Sequence, residues 1–158
     1  MLTEQERQEV EAELAQSFTP RAAAIGALRA VQRHRRWISD ETLADIAGML
    51  GLTPAELDGI ATFYYLIFRR PVGARVLMVC DSVVCWELGG ESLLGYLEQR
   101  LGVKAGETTA DNRFTLLRMN CLGDCDHAPV MLVNEALVRE VTEVVLDRVL
   151  AGEIPPEG

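Results

Sequence analysis

Four cysteines carry the clearest chemical signal in this chain. Cys80 and Cys85 are separated by four residues, Cys121 and Cys125 by three, and 35 residues divide the two pairs. Four thiolates gathered around soft metal point to zinc or to an iron–sulfur cluster. Zinc sites tolerate two to four residues between ligands, so spacing alone leaves zinc open. Loops of this size also suit a wider two-iron rhomb with one cysteine pair on each iron. Unligated or redox-active thiols are the third reading, weakened by the absence of any Cys-x-x-Cys motif. Gly123, inside the second loop, allows backbone N–H groups to approach a sulfur without a Cβ in the way. His127 lies outside the cysteine spacing and reads as a loop residue. Asp81, Asp124 and Asp126 read as carboxylates that shape the local field, because nothing pairs them with a substrate pocket. Neither a dinucleotide-binding nor a P-loop signature is present, and Gly89-Gly90 reads as a helix boundary.

The elements that must position these residues follow from periodicity. The first seventy residues read as four short helices. Thr3–Glu6 and Thr53–Glu56 have the form of capping boxes, Thr19-Pro20 can open a helix, and Ser39 or Asp40 can cap another. The stripe Leu43, Ile46, Ala47, Leu50 follows the helical rule. The first helix has only a thin stripe, Val10 and Leu14, and is expected to dock weakly or against a partner. The run Arg33–Arg36 is expected to be a solvated face. Phe63, Tyr64, Tyr65 and Phe68 form a dense block of the kind that fills a core or a domain interface. Pro71-Val72-Gly73 then breaks the pattern, giving expected domains of 1–72 and 73–158.

In the second domain the expected order is strand (75–80), helix (91–101), strand (114–119), a hairpin about Asn134-Glu135, and a last helix opened by Thr142 and closed by Gly152. Pro129 is expected to begin an edge strand. A strand–helix–strand crossover makes the first two strands parallel. Cys80 ends the first and Cys121 follows the second, so both pairs should emerge at one carboxyl edge. The fold class is therefore α+β or α/β: an N-terminal helical bundle followed by a domain with a small mixed sheet. The Pro155–Gly158 tail is expected to fray.

Composition narrows the function. The 158 residues carry a net charge of -9, with 49% hydrophobic and 25% charged side chains, a globular balance. Residues 1–72 have a net charge of -2 and residues 73–158 a net of -7. The acidic balance argues against nucleic acid, which needs clustered Lys and Arg. No apolar run approaches the roughly 18 residues of a membrane span, and the opening residues resemble no secretory signal. A reducing, cytoplasmic setting is the expectation, with metal or redox work for the cysteines.

The stretches Ala61–Tyr65, Arg69–Gly73, Val79–Cys85 and Asn120–Pro129 closely resemble the 24-kDa-type subunit family of bacterial NADH:quinone oxidoreductase, respiratory complex I. The likeness runs from about residue 20 to about residue 150. It implies a thioredoxin-like second domain binding one [2Fe-2S] cluster, with Cys80, Cys85, Cys121 and Cys125 as ligands and no catalytic residue in this chain. It also implies a flavoprotein partner that holds FMN and NADH, and further peripheral-arm subunits at the inner face of the plasma membrane. The alternatives are the equivalent diaphorase subunit of an NAD-linked hydrogenase or formate dehydrogenase, or a zinc-stabilised interaction module. The loop residues Asp81, Glu87, Asp124 and Asp126, with Arg118 as the one nearby cation in sequence, predict a low reduction potential.

Overall fold

A computed structural model describes residues 1–153. The expected fraying of Pro155–Gly158 lies outside the described residues. The chain divides into two compact units, Met1–Pro71 and a second that begins at Val72.

The first unit is helical: α1 (Glu4–Gln16), α2 (Pro20–Arg35), α3 (Asp40–Leu50) and α4 (Pro54–Phe63). Each start is set locally. Thr3, Thr19, Ser39 and Thr53 each accept a hydrogen bond from the backbone amide three residues on, and both capping boxes form. Leu28, Val31, Ile38, Ile46 and Leu57 are fully buried in the shared core.

Helix α1 is held more firmly than its thin stripe predicts. Val10 is fully buried, and the Glu6 carboxylate, 2% exposed, accepts from Arg35 at 2.6 and 2.7 Å. Glu9 meets Arg33 at 3.3 Å and His34 at 2.9 Å. Of the basic run, Arg35 is drawn in by Glu6, while Arg33, His34 and Arg36 stay solvent-exposed, as the reading of a solvated face expects. The sign is electrostatic complementarity between residues 24 to 29 positions apart, which periodicity does not register.

The aromatic block differs as well. Tyr64 turns extended and ends α4. The backbone beyond it is tied to Gln32, whose side chain donates to the Leu66 carbonyl and accepts from the Phe68 amide, both at 2.7 Å. Only Ile67 is driven inward, while Phe63, Tyr64 and Tyr65 are 76%, 42% and 62% exposed. The block does not fill the core of this unit.

The second unit runs β1 (Arg75–Cys80), α5 (Val83–Glu87), α6 (Gly90–Leu101), β2 (Phe114–Met119), a 3-10 turn (Cys125–His127), β3 (Met131–Val133), β4 (Ala136–Val138) and α7 (Glu143–Ala151). The sheet order is β2-β1-β3-β4. β1 and β2 are parallel with Cys80 opposite Met119, and the other two pairings are antiparallel. Leu77, Leu97, Leu116 and Leu146 are fully buried between sheet and helices. Pro129 precedes β3, which is an interior strand, so the expected edge strand there does not form. Helix α5 is an addition to the expected order. Among the described residues, no helix is long and apolar enough to cross a membrane.

Candidate metal centre

Cys80 closes β1, and its backbone donates to the Val130 carbonyl at 3.2 Å. The chain leaves the sheet through Asp81, whose amide donates to the Met119 carbonyl at 2.7 Å, tying the start of the first loop to the end of β2. It then coils into α5, which turns Cys85 inward. Helix α6 begins hard against this turn: a Cβ on Gly90 would stand 2.7 Å from the Cys85 carbonyl oxygen, so only glycine fits. Cys80 and Cys85 are buried with Val130, and Leu122, Ala128 and Leu137 pack around them.

The second pair lies at the same carboxyl edge. Cys121 follows β2 by two residues, and Gly123, with φ of +82°, bends the loop so that Cys125 returns in a 3-10 turn. The Cys121 and Cys125 sulfurs are 3.6 Å apart and exposed. Two thiolates on one tetrahedral ion, with metal–sulfur bonds near 2.3 Å, sit about 3.8 Å apart, so this pair has the separation that a shared metal requires. Cys80 ends β1 opposite Met119 of β2, two residues before Cys121, so both pairs share this edge. Among the described residues, the donors that gather three at a time within 4.8 Å are Asp124, Asp126 and His127, not the sulfurs. Four thiolates around one zinc ion would all lie about 3.8 Å from one another. The wider sulfur array therefore suits two metal atoms.

The Gly123 amide, foremost, holds the Cys121 thiol below its ordinary value, with Cys125, Ser82 and Cys80 acting in the same direction. Cys125 is raised by its bond with Cys121 and the charge beside it. Burial pushes Cys85 up to about 11. Bringing all four to the thiolate form requires positive charge among them, which metal supplies.

The field around the sulfurs is more balanced than the sequence suggests. Arg118 reaches Asp81 at 3.2 Å and Glu91 at 2.8 Å. Arg139, brought back by the β3–β4 hairpin, holds Asp124 at 2.5 Å, and the Asp124 carboxyl is lowered chiefly by that contact. His127 Nδ1 faces Asp124 at 3.1 Å and Asp126 at 3.4 Å, which occupies it with carboxylates. Two of the four loop carboxylates thus have arginine partners, so the expected acidic field is substantially compensated. Sequence reasoning missed Arg139, whose place beside Asp124 depends on the hairpin's fold.

Comparison with known proteins adds an independent line. A family model described as thioredoxin-like [2Fe-2S] ferredoxin matches residues 10–152. The chain is 45% identical over 135 residues to an NADH-quinone oxidoreductase subunit of Pseudomonas aeruginosa, covering 85% of this chain and 81% of that one. It is 42% identical over 149 residues to the like-named subunit from Escherichia coli K12, covering 94% and 90%. Among solved structures, an NAD+-reducing [NiFe]-hydrogenase in the air-oxidised state superposes with a TM-score of 0.67 and 26% identity over 81% of this chain. The match takes up only 23% of the hydrogenase chain, so this protein corresponds to one part of that larger one.

Proposed function

The chain belongs to the thioredoxin-like [2Fe-2S] ferredoxin family, and from that premise we propose that Cys80 and Cys85 hold one iron and Cys121 and Cys125 the other. The protein is an electron-transfer subunit of a multi-subunit NADH-quinone oxidoreductase, as its relatives are named, and carries one [2Fe-2S] cluster. When bound, such a cluster takes up and returns single electrons. The chain's own residues do the rest. Strand β1 and helix α5 bury the inner pair of sulfurs, and the Gly123 loop presents the outer pair. The observation that carries the ligand assignment is the meeting of both pairs at one sheet edge, with the outer sulfurs 3.6 Å apart.

The electron partner in this reading is the flavoprotein subunit that binds NADH and FMN, with other peripheral-arm subunits beyond it. The helical unit docks that partner and does no chemistry. The assembly sits at the cytoplasmic face of the plasma membrane, and this chain does not enter the lipid. A second reading, the diaphorase part of an NAD-linked hydrogenase, draws on the hydrogenase superposition. The 42–45% identity to the NADH-quinone oxidoreductase subunits favours the first.

Purification of the tagged full chain from its native cell tests these readings. Visible absorption, two irons per chain and copurification of a flavoprotein with quinone-reductase subunits are expected. A hydrogenase in place of those subunits supports the second reading, and a colourless chain holding zinc overturns both.

A further inference from the structure

The two cysteine pairs differ in what can reach them before any metal is bound. Cys80 and Cys85 are 2% and 1% exposed, while Cys121 and Cys125 are open to solvent. The outer sulfurs already stand 3.6 Å apart, and a disulfide needs about 2.05 Å, a closure of roughly 1.5 Å. The loop has room for that movement. Gly123 bends it at φ +82°, and a Cβ placed there would meet nothing within 4 Å. Cys125 opens a three-residue 3-10 turn, and Cys121 lies beyond the end of β2. Closing the pair therefore disturbs neither the sheet nor a long helix.

We propose that the outer pair is a redox-sensitive modification site: in the chain awaiting its cluster, Cys121 and Cys125 are oxidised to a disulfide by a low-molecular-weight disulfide, oxidised glutathione, and the chain then cannot load until a dithiol reduces it. One outer thiolate attacks a glutathione sulfur, the glutathione S–S bond breaks, and a mixed disulfide forms as one glutathione thiolate leaves. The neighbouring outer cysteine, its proton lost to solvent, attacks the protein sulfur of that bond and expels the second glutathione. Two electrons pass from the cysteine pair to the glutathione disulfide, and two protons end on the released glutathione thiols. The inner pair is spared because burial denies it the reagent. A thiolate binds metal and a disulfide does not, so half of the ligand set is withdrawn. In a reducing compartment such a bond is transient and marks an oxidising excursion. The block on loading rests on the cluster-binding reading; the disulfide does not.

The test uses the full-length chain, stripped of metal, reduced and then exposed to oxidised glutathione. Trypsin separates the pairs, with Cys80 and Cys85 on the peptide 76–100 and Cys121 and Cys125 on 119–139. After quenching with iodoacetamide, mass spectrometry should find 119–139 unalkylated and short of two hydrogens, formed about tenfold faster than any oxidation of 76–100. In urea, where burial is lost, that preference should disappear. Cys121→Ser and Cys125→Ser should each stop at one glutathione adduct on the remaining outer thiol. Loading is probed with cadmium ion and its ultraviolet thiolate band, because sulfide would itself reduce a disulfide. The oxidised chain should bind cadmium at least about tenfold more weakly than the reduced one, and reduction with dithiothreitol, removed before measurement, should restore binding. Oxidation first at 76–100, a cross-link between the two peptides, an unchanged preference in urea, or no adduct on either serine variant overturns the modification site. Equal cadmium binding by both forms overturns the block on loading. A reduced chain that gains no visible absorption from iron and sulfide overturns the cluster reading and leaves the disulfide standing.

Discussion

Cys121→Ala removes a sulfur that stands 3.6 Å from Cys125, and the three remaining thiolates cannot complete two tetrahedral irons. The expected outcome is loss of the reduced-state EPR signal, and a normal signal in that variant would remove Cys121 from the ligand set. Glu6 answers to pH instead. Its carboxyl is lowered from 4.5 to about 2, chiefly by the Arg35 hydrogen bond. A group lowered on folding contributes stability above its unfolded value and loses it as pH falls through the folded one. Its contribution, about 3 kcal/mol at neutral pH, should therefore be complete above about 4.5 and vanish toward about 2. Urea midpoints between pH 6 and pH 2.5 should fall less steeply in Glu6→Gln than in wild type. The cysteines were legible because their spacing is local and their type is scarce. The Arg139–Asp124 pair was not, because its members lie 15 residues apart and meet only once the hairpin has folded.

Elements divide by the same rule. The capped helix starts could be read because Ser or Thr and the amide three residues on lie within one turn. Helix α5 could not, because five residues are too few to show a period. The aromatic block was misread because hydrophobicity gives a tendency to be buried, while the backbone's hydrogen bonds decide which side chains turn inward. Gln32, 8% exposed, supplies those bonds on the α2 side. Gln32→Ala leaves the Leu66 carbonyl and the Phe68 amide without that partner. A loss of about 1–3 kcal/mol in unfolding free energy is expected, read as a lower thermal midpoint. An unmoved midpoint would show that water replaces both bonds.

At the scale of the whole chain, the two units divide the proposed labour between docking and electron transfer. A fragment spanning 72–158 contains all four cysteines, both arginine partners of the loop carboxylates and the Leu77–Leu97–Leu116–Leu146 core. It is expected to fold, to take up a cluster with a wild-type EPR signal, and to fail to copurify with the flavoprotein. Wild-type copurification by the fragment would move docking to the second unit. The carboxyl-edge placement of the site was legible because parallel β1 and β2 follow from the crossover rule, and the cysteines mark the ends of both strands. The unequal depth of the two pairs predicts an order of maturation. Cys80 and Cys85 are 2% and 1% exposed, while Cys121 and Cys125 face solvent, so a donor delivering iron and sulfide meets the outer thiols first and hands inward. In the metal-free chain, iodoacetamide followed by mass spectrometry should label Cys121 and Cys125 well before Cys80 and Cys85. The cluster would then be seeded from outside, on a half-site that remains open to exchange until the inner pair closes it.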